Sequence, residues 1–194
     1  MPIYMMTPVA VPTQGIFRTT CFEKIYGYNS IITYVRADRT LWFYLSTVSD
    51  YAYIREKMMR YRIGSYTASH IAVSNLSAPI MDYLTIKNFV NYAKIYGYQK
   101  VIEREKEAYK KIASFCLNFC STCLKMEKYD KAREYLLFCK LFDPDIERSD
   151  DYSMFTKMQN NGITNFDYIE KFTKKGFDRK RSYEPPSGYQ KIEV

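Results

Sequence analysis

Small and apolar residues recur between Cys116 and Pro144 at a spacing that suits two helices packed face to face. Cys116, Phe119, Cys120 and Cys123 fall at i, i+3, i+4 and i+7, which is one face of a helix. Tyr129, Ala132, Leu136 and Cys139 continue the pattern on a second helix. The polar run 125–128 makes the turn, and Asp143-Pro144 stops the second helix, because proline lacks the N–H that a helix interior needs. Any fold for this chain must accommodate this hairpin.

The same residues resemble one tetratricopeptide unit, and only one such unit is visible in the sequence. A lone repeat does not make a solenoid, so the hairpin is expected to cap or extend another part of the chain. Four of the five cysteines lie in it. Cys120-Ser-Thr-Cys123 has the two-residue gap of zinc ligands, but a second ligand pair is missing and the spacing is that of a helix face. Cysteine there behaves as a small buried hydrophobe. The odd count and the absence of a disulfide pattern point to a reducing, cytoplasmic setting.

The 194 residues are 47% hydrophobic, enough for a packed core, and include 20 tyrosines and 12 phenylalanines. No apolar run is long enough to span a bilayer, and residues 1–14, with three prolines and no basic start, make a poor signal peptide. The net charge of +8 favours anionic partners. Much of it sits between Lys171 and Lys191, including Lys174-Lys175 and Arg179-Lys180-Arg181. This reads as a solvated basic tail, with a peripheral membrane contact as the alternative. Basic residues alternate with rings at Arg60-Tyr61-Arg62 and across residues 94–100, but no nucleic-acid motif accompanies them, so nucleic acid is not an expected partner.

The pattern implies an α+β chain that is mostly helical. Residues 15–20 suit a short strand or a loop, and Thr19 or Thr20 suits a helix cap with Glu23 in the first turn. Asp38 stands where an N-cap would, ahead of the apolar run 41–45. Residues 51–62 read as strand, turn, strand, and residues 64–69 as a polar loop leading to His70, the only histidine. From Pro79 to Phe142 the period is helical, broken at Gly97. Met154 to Met158 and Phe166 to Phe172 are shorter helix candidates, and Asp150-Asp151 reads as a surface-loop pair. The expected segments are 1–77, 78–160 with the hairpin, and the tail 161–194.

Four pieces near the start resemble the acceptor-side half of a family 2 glycosyltransferase. They are residues 12–28 around Gly15-Ile-Phe-Arg18, Asp38 followed by Leu41-Trp42, residues 51–60, and Tyr61-Arg62 with Ser65 and Ser69. The resemblance implies that Asp38 is the base that deprotonates an acceptor hydroxyl attacking a nucleotide sugar. It implies that Trp42 holds the helix or walls the acceptor pocket, that Thr13, Gln14 and Gly15 line the sugar pocket, and that Arg62 lies near the leaving diphosphate. It also implies a divalent metal, manganese or magnesium, but no metal ligands are identified in this chain. Ala37 stands where the family has a second acid, and Gly64 where it often has a metal-linked histidine. The nucleotide-binding half that precedes this unit in the family has no counterpart in residues 1–11, so such an enzyme is expected to be incomplete on its own. The competing expectation is a non-enzymatic helical module that binds a protein at the hairpin.

Overall fold

The computed structural model describes residues 15–25, 37–52 and 68–177, with no side-chain description at 68–70 and 175–177. The helices among them are α1 (Thr19–Lys24), α2 (Ala37–Val48), α3 (Ala68–Ser74), α4 (Ser77–Tyr96), the short α5 (Gln99–Ile102), α6 (Glu105–Lys125), α7 (Tyr129–Phe142), α8 (Asp150–Asn161) and α9 (Phe166–Phe177). A 3-10 turn, Pro144–Arg148, joins α7 to α8. No strand occurs among the described residues, so their helical character stands and the α+β expectation is corrected there. Residues 15–18 are irregular rather than a strand, and α1 begins at Thr19 with no side-chain cap and no acid in its first turn. Of the expected strand pair 51–62, residues 51–52 are irregular and the rest lies outside the described residues, as does the tail from residue 178.

The hairpin forms as its spacing predicts. Ala113, Cys116, Cys120 and Leu124 of α6 and Ala132, Leu136 and Cys139 of α7 are buried in one core. Small side chains let the two backbones approach, and the Cys139 thiol donates to the carbonyl of Ala113 at 3.4 Å. The turn is a Schellman closure, in which Lys128 N–H bonds Cys123 O and Glu127 N–H bonds Leu124 O. Glu127 holds φ +54°, in the left-handed region that glycine takes without strain. The same closure at Gly162, with Ile163 N–H on Met158 O, uses the expected residue.

The hairpin is not alone. α8 packs on both α6 and α7, and α9 packs on α6. Phe155 of α8 meets Tyr168 and Phe172 of α9 edge-on, and Ile169 is buried in the common core. These helices run beyond the short apolar stretches that suggested them, because their outer turns are polar and capped. Ser149 accepts from the Tyr152 N–H, and Asp150-Asp151 form the first turn of α8 rather than a loop. His70 likewise lies in helix α3, not in a loop.

On the other side of the hairpin, α4 packs against α6. Lys87 reaches Glu105 at 3.1 Å between the rings of Tyr83 and Tyr109, and the Tyr109 hydroxyl donates to the same carboxylate. Burial alone would raise the Glu105 pKa, but the hydrogen bond from Tyr109 and the Lys87 ammonium outweigh it and hold the carboxyl below its ordinary range. Tyr135 of α7 donates its hydroxyl to Val73 O, tying α3 to the hairpin.

α2 is seated on α4. Phe43 and Phe89 stack at 3.9 Å, and Arg39 reaches Asp82 at 3.2 Å with both side chains almost wholly buried. Arg39→Met removes the guanidinium from a carboxylate that stays buried, and is expected to cost about 3–5 kcal/mol in urea unfolding. Pairing it with Asp82→Leu is expected to restore most of that loss. Glu127→Gly should raise the free energy of unfolding by about 1 kcal/mol, read as a higher urea midpoint, because the left-handed turn then carries no side chain.

Candidate functional site

The candidate catalytic residue sits in the first turn of α2. Asp38 is half-buried, and its Oδ1 accepts the Arg39 N–H at 2.8 Å. The helix begins at Ala37, two residues before the start that an Asp38 cap implies, so Asp38 lies just inside the helix rather than at its cap. A carboxylate in a first turn suits the positive end of the helix dipole.

One turn further on, Trp42 is 3% exposed. Phe17 and Tyr51 meet its ring edge-on at 6.0 and 6.5 Å, and the Tyr51 hydroxyl donates to Trp42 O at 2.5 Å. The backbone at Gly15 lies against the same ring, and a Cβ built there would come 2.3 Å from Trp42 Cζ-side atom Cη2. Glycine at this position lets the 15–18 segment lie on the indole. The Trp42 Nε1–H is buried and meets no hydrogen-bond partner among the described residues.

Of the expected site residues, Gly15 lies against the indole of Trp42, and Asp38 stands in the opening turn of the helix that carries that indole. Thr13, Gln14 and Arg62 lie outside the described residues. Residues that the sequence reading passed over are Arg39 and Asp82, which seat this helix on α4. A signal was present: Asp82 stands in the buried stripe Ala78, Pro79, Thr85, Ile86, Phe89, Val90 and Ala93, and a charge in such a stripe implies a buried partner.

Among the described residues no group of three His, Cys, Asp or Glu side chains forms a metal site. The hairpin cysteines are core residues. Cys116, hydrogen-bonded to Cys139 and buried, has its thiol pushed far up, and burial raises Cys120 and Cys123 as well. Such thiols are poor nucleophiles and poor ligands. The basic-aromatic run 94–100 packs on itself, with Tyr92, Tyr96 and Tyr98 centroids 4.4–6.4 Å apart. No helix among the described residues is long and apolar enough to cross a membrane.

Comparison with protein-family models, with characterised proteins and with solved structures gives no match.

Gly15→Ala forces the loop or the indole to move. It is expected to cost about 1–3 kcal/mol of stability. The emission of Trp42, the single tryptophan, should shift to the red as the ring gains water.

Proposed function

We propose that the opening segment is the acceptor-side half of a nucleotide-sugar glycosyltransferase, with Asp38 as general base. The observation that supports this reading is the approach of Gly15 to the Trp42 ring, on the helix whose first turn carries Asp38. In this reading the acceptor hydroxyl donates to Asp38. As its oxygen bonds to the anomeric carbon, the proton passes to the carboxylate, and the bond to the nucleotide diphosphate breaks with its electron pair. The spare oxygen serves this step: Oδ1 is occupied by the Arg39 N–H, and among the described residues Oδ2 takes no hydrogen bond. Trp42 packs under the loop and fixes the distance between loop and base. The nucleotide sugar and a glycan acceptor are the substrates, and the nucleotide-binding half comes from elsewhere.

A second reading, a non-enzymatic helical interaction module, is favoured by a different observation. Trp42 is buried, and Asp38 bonds the N–H of its own helix, so the pair also serves as a helix start and a core residue. Leu137 and Leu141, one turn apart and exposed on α7, would then offer the protein-binding surface at the hairpin.

Asp38→Asn separates the two readings, because asparagine keeps the oxygen that accepts the Arg39 N–H and loses only the base. With the nucleotide-binding half of such an enzyme fused ahead of the chain, nucleotide-diphosphate release from a panel of nucleotide sugars, with saccharide acceptors and manganese, should fall about 100-fold or more in this variant while its thermal midpoint stays unchanged. Equal release by the variant and parent fusions would favour the interaction module.

A further inference from the structure

We propose that Asn161-Gly162, at the turn from α8 to α9, is a self-modification site whose asparagine converts to isoaspartate when the last turn of α8 opens. It is the one Asn-Gly pair in the chain. Glycine puts no Cβ beside its own nitrogen, so that nitrogen can close a five-membered ring on the preceding side chain. Asn161 and Gly162 are both exposed, and a Cβ built on Gly162 would meet nothing within 4 Å. Among the described residues no neighbour holds the Asn161 side-chain amide by a hydrogen bond.

The reaction needs only water. The Gly162 nitrogen, after giving its proton to hydroxide, attacks Cγ of Asn161. The new C–N bond forms as the Cγ–NH2 bond breaks, and the side-chain nitrogen leaves as ammonia with a proton from water. Hydrolysis of the resulting succinimide at Cγ gives aspartate. Hydrolysis at the backbone carbonyl gives isoaspartate, in which the chain runs through the former side chain and gains a backbone atom. Water enters, ammonia leaves, and nothing is oxidised or reduced.

The fold controls when this happens. Asn161 is the last residue of α8, and the Gly162 N–H is bonded to Met158 O. While that bond stands the nitrogen keeps its proton, so the reaction waits on the opening of this turn. The Ile163 N–H bonds the same carbonyl at 3.2 Å. Thr164 then latches the turn to the α6–α7 hairpin: its hydroxyl donates to Leu124 O at 2.9 Å and accepts from the Tyr129 hydroxyl at 3.1 Å. Helix ends open locally at low free energy, without global unfolding. Isoaspartate cannot keep this register. Its added backbone atom displaces Gly162 and Ile163 from Met158 O and carries Thr164 away from Leu124 O, so the modification unlatches the two turns. This inference depends on neither reading of the function.

Peptide mapping of the full chain held at mildly alkaline pH tests it, read by mass spectrometry of the tryptic peptide 158–171. Asn161 should lose its amide while Asn160 and Asn165 in the same peptide keep theirs, and unfolding in urea should speed the loss about tenfold or more. Thr164→Val removes the latch. It should speed the loss several-fold in the folded chain and leave the rate in urea unchanged. Asn161→Gln should abolish the loss in both states. The isoaspartate form, separated by ion exchange, should unfold at a lower temperature than the Asn161→Asp variant, which adds the same charge without the extra backbone atom. Equal rates in the folded and unfolded chain, equal loss at all three asparagines, or a Thr164→Val chain that reacts no faster would overturn the proposal.

Discussion

The ion pair between Arg39 and Asp82 governs how the first part of this chain sits on the rest. Both side chains are almost wholly buried, and a buried charge is tolerated only against its partner. The pair leaves one register for α2 on α4, which the Phe43–Phe89 stack then fills. α2 carries both Asp38 and Trp42, so the placement of the candidate site depends on a carboxylate that lies 43 residues further along the chain. In an enzymatic reading, Asp82 therefore acts on the base through the position of its helix, without touching a substrate.

The hairpin supplies the other half of the framework. Alanine and cysteine at its contact positions bring α6 and α7 close, and α4, α8 and α9 pack around them. The cysteines earn their places as compact apolar groups, with burial holding their thiols protonated. Around this core, polar contacts tie separate helices together, among them the Lys87–Glu105–Tyr109 clasp between α4 and α6, the Tyr135 bond to α3, and Thr164 between the two turns.

Much of the helical architecture was legible in the sequence, because amphipathic periodicity is a local signal. The hairpin, its stop at Pro144, and the break at Gly97 followed from spacing and from the restricted backbone of proline and glycine. What was misread shares one cause. The helix at His70, the first turn of α8 at Asp150-Asp151, and the outer turns of α9 carry polar residues on surfaces that packing does not decide. There, polarity suggested loops. In the candidate site, Asp38, Trp42 and Gly15 were all singled out through the resemblance, and the approach of Gly15 to the Trp42 ring is what the structure adds. Arg39 was passed over because a charged residue at the start of a helix has an ordinary explanation on the surface.

The sequence by itself determined the helices and their turns, since a 3.6-residue period and the backbone limits of proline and glycine act over a few residues. It also marked out its distinctive residues: one tryptophan with an aspartate a turn before it, and four of five cysteines at the contact positions of one helical hairpin. Only the tertiary structure decided that Gly15 lies on the Trp42 ring, that Arg39 is buried against Asp82, and that two hairpin turns stand side by side at one end. Those contacts join residues far apart in the chain. Their geometry depends on how whole helices pack, which no local pattern encodes.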